Sequence, residues 1–172
     1  MNPIYNIFGG FCLCDIQNQL QQMMPVSERS QYKHQKQVKA IYSYDFSKHQ
    51  EKLKAKLLPL LGTGLSFVYA KKKANVCKTR RVSKRRTRSI GVTKNSVNYQ
   101  TVIVAEGKKT YVGSFPLEID AAITFDFYSM MLHNNKAPTN FSWRAEDVFE
   151  MLKNFNQNGG VFEASHFRDI LS

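Results

Sequence analysis

The side chains in this chain that could do chemistry are mostly cationic, and they are crowded into one stretch. Residues 71–109 hold thirteen Lys and Arg against one acid, whereas residues 1–70 hold eight against four and residues 110–172 four against eight. The local balances are therefore +12, +4 and −4, and they sum to the net charge of +12. An excess confined in this way fits a polyanionic partner, nucleic acid ahead of an anionic membrane surface. Ten of the cations, with no acid among them, lie between Lys71 and Arg88 and include Arg85, Arg86 and Arg88. Self-repulsion favours an extended arm there, able to serve as a nuclear-import address, to lie along phosphates, or both. The plain alternative is a solvated basic linker.

Other chemistries find little support. His34, His49, His133 and His166 are scattered and stand near no convincing nucleophile or carboxylate constellation. Ser114 and Ser129 lack the Gly-x-Ser-x-Gly elbow. Cys12, Cys14 and Cys77 make neither a disulfide framework nor a four-ligand zinc set. No enzyme, metal or cofactor is expected. No apolar run approaches the roughly 20 residues of a membrane helix, and with nucleic acid ranked ahead of a membrane surface no membrane partner is expected. The first Arg is Arg29, and neither a secretory nor a mitochondrial address is indicated.

The basic stretch runs into a segment patterned as strands. Val92-Thr93-Lys94 reads as a first strand and Asn95-Ser96-Val97-Asn98 as a turn. Tyr99-Gln100-Thr101-Val102-Ile103-Val104-Ala105 is rich in β-branched and aromatic residues and gives the strongest strand signal. Glu106-Gly107-Lys108 supplies a hairpin turn, and Lys109 to Phe115 a third strand in which Gly113 permits close backbone approach. Beyond Pro116 a helix is expected over about 118–132, with Ala121, Ala122, Phe125, Tyr128 and Leu132 on one face. Side chains alternate along a strand, so Gln100, Val102 and Val104 share a face.

These residues carry a family resemblance. Ile90-Gly91-Val92, Ile103, Tyr111-Val112-Gly113-Ser114-Phe115, Glu118…Ala121-Ala122…Phe125-Asp126 and Ala137…Asn140-Phe141 fall in register. Arg88 to Phe141 thereby resembles the APETALA-type (ethylene-response-factor) DNA-binding domain. The resemblance implies a three-stranded sheet in the DNA major groove with the helix packed behind it. It also implies that Gln100, Val102 and Val104 face DNA, where typical members place Glu and Arg. Ile90 and Thr93 stand where those members have Arg, Lys94 stays basic nearby, and Lys109 and Tyr111 replace Arg and Trp. The expected contacts are therefore Arg85, Arg86 and Arg88 of the basic arm, on phosphates, together with Thr93, Lys94, Asn95, Tyr99, Gln100, Val102, Val104, Lys109 and Tyr111 of the sheet. With so few guanidinium groups, an A·T-leaning site is expected: Gln100 and Asn95 suit adenine, and the valines suit thymine methyls.

The expected fold is therefore α+β: a three-stranded antiparallel sheet on one α-helix, with helical flanks and a basic N-terminal arm. The segments are a poorly ordered 1–44, a short helix in 45–64 capped by Asp45 or Ser47, and a basic arm or linker at 65–88. The DNA-binding domain follows at 89–141, then a helical extension at 142–172 opened by Ser142 as its cap. In that extension Val148, Met151, Leu152 and Phe155 recur at helical spacing, and Trp143 and Phe155 could also anchor a partner. The expected function is a nuclear DNA-binding protein, a transcriptional regulator or chromatin-associated factor on double-stranded DNA. The alternatives are a non-catalytic subunit of a nucleic-acid-acting complex, using the sheet face or C-terminal helix for protein contact, and an RNA- or ribosome-associated basic protein.

Overall fold

Eight residues from Asn98 to Ala105 form the middle strand of a three-stranded antiparallel sheet, as their β-branched and aromatic content directs. The computed structural model describes residues 44–72 and 85–171. The expectations for 1–43 and for the centre of the basic arm, 73–84, lie outside the described residues. The helices in chain order are α1 (Ser47–Leu57), α2 (Glu118–His133) and α3 (Ala145–Gln157). The strands are β1 (Ser66–Val68), β2 (Val92–Asn95), β3 (Asn98–Ala105), β4 (Lys108–Phe115) and β5 (Trp143–Arg144). The fold is α+β, with the sheet ordered β2-β3-β4.

Both hairpins are tight. Asn95 pairs with Asn98 around Ser96-Val97, where Ser96 takes φ 56°. Ala105 pairs with Lys108 around Glu106-Gly107, with φ 50° and 75°, the double left-handed pattern that matches strand twist. Thr101 pairs with Gly113 and Val102 with Tyr111, which leaves Val112 as the extra residue of a bulge. Gly113 has a packing reason: a Cβ there would stand 3.0 Å from the Phe115 ring.

One face of the sheet rests on α2. Val92, Thr101, Ile103, Ala105 and Val112 are buried on that side, and the Thr101 hydroxyl donates to the Ala121 carbonyl at 2.8 Å. Ala121 and Ala122 let the helix approach this closely. The sequence points to a single apolar face on α2, but every residue from Asp120 to Met131 is buried, while Leu132 is only half-buried. Ile123, Phe127, Met130 and Met131 fill the sides that the sheet does not cover. A helix apolar all round must be enclosed. The enclosure comes from Leu53 and Leu57 of α1, from Val148, Met151, Leu152 and Phe155 of α3, and from Phe162 and Phe167 beyond it. Phe127 stacks on Phe162 with ring centres 4.2 Å apart.

The flanks join the fold more closely than the charge pattern suggests. Ser66–Val68, inside the segment read as an arm, pairs with Trp143–Arg144, and Phe67 and Val68 are buried. Leu65-Ser66-Phe67-Val68-Tyr69 is a strand-forming run that charge counting passes over. At the other end of the arm, Arg86 bridges to Thr93 and the Arg85 carbonyl accepts from Lys94 N at 2.9 Å. Ser142 is not a cap. Pairing with β1 holds Trp143–Arg144 extended, so α3 starts at Ala145, and the Ser142 hydroxyl accepts from Ala70 N. Asp147 instead accepts from Arg144 N at 3.1 Å. At α1 the cap position is Phe46, and the Asp45 carboxylate accepts from both the amide and the hydroxyl of Ser47.

Gly91 opens the first strand with φ 70°, and a Cβ there would run into the Phe125 ring. Gly91→Ala is expected to cost about 2–4 kcal/mol, combining left-handed strain with overpacking. Gly107→Ala, in open space at φ 75°, should cost about 1–2 kcal/mol. Denaturant midpoints of the two variants check this ordering.

Candidate nucleic-acid interface

The register of the sheet decides which side chains leave the helix-covered side. Thr101 points at α2, so Gln100, Val102 and Val104 on β3 point away from it, and Asn98 points with them. Their partners share that face. Thr93 and Ser114 flank Gln100, Asn95 lies across from Asn98, Tyr111 from Val102, and Lys109 from Val104. Asn95, Asn98, Thr93, Val104 and Lys109 are exposed; Gln100, Val102 and Ser114 are half-buried.

Three of the expected contact residues sit differently. Tyr99 lies one residue from Gln100 and so faces α2, packed against Val92, Ala121 and Ala122. Lys94 pairs with Tyr99 and follows it, its amine 5.8 Å from the ring centre. Both therefore leave the outward face by strand parity. Tyr111 does lie on the outward side, yet it is buried, 9% exposed. Burial pushes its hydroxyl above the usual tyrosine range, against a hydrogen bond with Ser114 that pulls the other way. Tyr111 is thus on the outward side without being an exposed contact.

Two residues of the face were not singled out from the sequence. Asn98 follows from the alternation that already groups Gln100, Val102 and Val104, whereas Ser114 does not. Asn98 looked like part of a turn, and the bulge shifts parity before Ser114.

The basic residues at the sheet's edge are held by backbone. Arg86 stands beside Thr93 through its bridge, and Arg85 and Arg88 are exposed. The Arg88–Ser89 turn is pinned to the start of α2: Glu118 Oε1 accepts from Arg88 N, Ser89 N and Ser89 Oγ at 3.1, 3.1 and 2.8 Å. From Arg85 to Lys109 there are six cations and one acid, Glu106 in the hairpin turn. Among the described residues the outward face itself carries no carboxylate. It can offer amide, hydroxyl, methyl and ammonium groups to a polyanion.

Behind the sheet, Asp126 gathers the chain that closes the domain. Its Oδ1 accepts from Asn140 N at 2.7 Å and Asn140 Nδ2 at 3.0 Å, and its Oδ2 from Phe141 N and Trp143 Nε1, each at 2.9 Å. Asn140 Oδ1 then accepts from Ile90 N at 2.6 Å, linking this loop to the start of β2. Ile90, where the family resemblance places an arginine on DNA, packs partly into the core here.

Among the described residues no group of three or more His, Cys, Asp and Glu could hold a metal ion. No described helix is long and apolar enough to cross a membrane.

Burial pushes the Asp126 carboxyl up to about 7, although its four N–H donors pull it down. In the unfolded chain the group titrates near 4. The folded protein therefore holds a proton there across the intervening window. The associated stability is present in full below about pH 4 and is lost as pH rises through about 7. Asp126→Asn removes the titrating group, so the stability difference between wild type and variant should shrink or change sign from pH 4 to pH 8. Denaturant midpoints across that range measure it.

Comparisons with protein-family models, with curated proteins and with solved structures find no match to this chain.

Proposed function

We propose that this protein binds double-stranded DNA, with the outward face of the β2-β3-β4 sheet in the major groove and the Lys71–Arg88 segment on flanking phosphates. The observation that carries this reading is the asymmetry of the sheet. One face is buried on α2, while the other presents Thr93, Asn95, Asn98, Gln100, Val102, Val104 and Lys109, without an acid. Arg85, Arg86 and Arg88 lie at its β2 edge. Phosphate contacts supply affinity, and base-edge contacts supply selection. The resemblance of Arg88–Phe141 to the APETALA-type domain supports the same docking, and with it a nuclear role as a transcriptional regulator or chromatin-associated factor.

A protein occupant of the sheet is the second reading, and the observation favouring it is Val104, 52% exposed. The C-terminal helix gives it less support. Val148, Met151, Leu152 and Phe155 are buried within the protein, and so is Trp143.

Binding of the full chain to a random-sequence duplex, measured against salt, tests the proposal. Removing residues before 89 would also remove Leu53, Leu57, Phe67 and Val68 from the core, so the arm is better neutralised than deleted. Replacing Lys78, Arg80, Arg81 and Lys84 by Gln should lower the salt slope by about 0.9 for each phosphate no longer neutralised. Gln100→Ala should leave that slope unchanged and alter sequence preference. Absence of duplex binding at low salt would overturn the reading, and a stoichiometric protein partner protecting Val104 would replace it.

A further inference from the structure

The spacing along β3 bears on what the outward face would select, given the DNA-binding reading on which this step rests. Asn98, Gln100, Val102 and Val104 are alternate residues of one strand, so neighbours stand about 6.8 Å apart. That is twice the base-pair rise of about 3.4 Å. A strand lying in the groove parallel to the duplex axis would thus place one of these side chains over every second base pair. The bulge lies on β4, so β3 keeps its own alternation throughout.

The chemistry along this row changes once, from amide to branched alkyl. Asn98 and Gln100 carry an adjacent donor and acceptor, which match adenine N7 and N6. Asn95, across from Asn98, adds a second amide at the same end. Val102 and Val104 have no polar side-chain atom and suit the thymine C5 methyl. The row lacks the paired donors that guanine calls for and the carboxylate that cytosine N4 calls for. Lys109, on the outer strand beside Val104, is the one cation among the described residues of this face and marks the end where a G·C pair is tolerated.

We propose that the β3 row selects an A·T-rich major-groove element of about six base-pair steps, with adenine edges under Asn98 and Gln100 and thymine methyls under Val102 and Val104, each read at a two-base-pair interval. Polarity comes from the amide end, and methyl recognition from the valine end.

Selection of binding sites by the full chain from a random duplex library, followed by base-analogue substitution in the selected site, tests this. The selected site should be A·T-rich. Replacing its thymines by uracil deletes the methyl groups and should weaken binding about fourfold for each contacted methyl. Replacing its adenines by 7-deazaadenine should weaken binding on the order of tenfold for each amide contact. Val104→Ala should abolish sensitivity to one uracil while keeping the 7-deazaadenine penalty; Gln100→Ala should do the reverse. A G·C-rich selected site overturns the proposal, as does an A·T-rich site indifferent to both analogues. Salt-dependent duplex binding without enrichment also overturns it and leaves the DNA-binding reading intact. Loss of all duplex binding removes both.

Discussion

The structure depends on a helix that has no side fit for water. From Asp120 to Met131, α2 is buried without interruption, so the sheet can cover only part of it. The remainder calls for the second layer built from α1, α3 and the Phe162–Phe167 segment. A domain read as a sheet on one helix is thereby a sheet, a central helix and a helical cover. Two carboxylates on α2 are paired within that burial. Asp126 binds the 140–143 closing chain, and Asp120 takes both oxygens to Arg168, with Nη2–Oδ2 at 2.6 Å. Leaving the Asp126 carboxyl without its hydrogen bonds, or the Asp120 carboxylate without Arg168, would be costly at such depth. The pairings therefore fix where the chain after α2 can run.

Much of this framework was legible in the residues themselves. Val102, Ile103 and Val104 beside Tyr99 and Thr101 marked the central strand, Glu106-Gly107 its turn, and Pro116 followed by an apolar run the start of α2. The enclosure of α2 was also written there, since Ile123, Phe127, Met130 and Met131 occupy the sides left by Ala121, Ala122 and Phe125. The regular spacing of that one face masked it. The β1–β5 pair was not legible. Three residues have no measurable period, and Ser66–Val68 becomes a strand only by meeting Trp143, some 75 positions away. That pairing also explains why Ser142 failed as a cap.

The outward face shows the same division. Alternation groups Gln100, Val102 and Val104, and the structure adds Asn98 by the same rule. Lys94 and Tyr99 were placed by analogy against the parity of their own strands, and parity prevails because Val92 and Thr101 must face the helix. Tyr111 has the right parity, but it is buried and so is not an exposed contact. The outward surface left by these constraints is short, mostly neutral and bordered by cations. In the proposed function these two parts do separate work, the cations setting affinity and the neutral row setting selection.

The most direct measurement is an amide chemical-shift map of the full chain titrated with duplex DNA. The account expects the largest shifts at Thr93, Asn95, Asn98, Gln100, Val102, Val104 and Lys109, with little change along α1 and α3. Shifts concentrated on α1 or α3, with the β3 row unmoved, would contradict it.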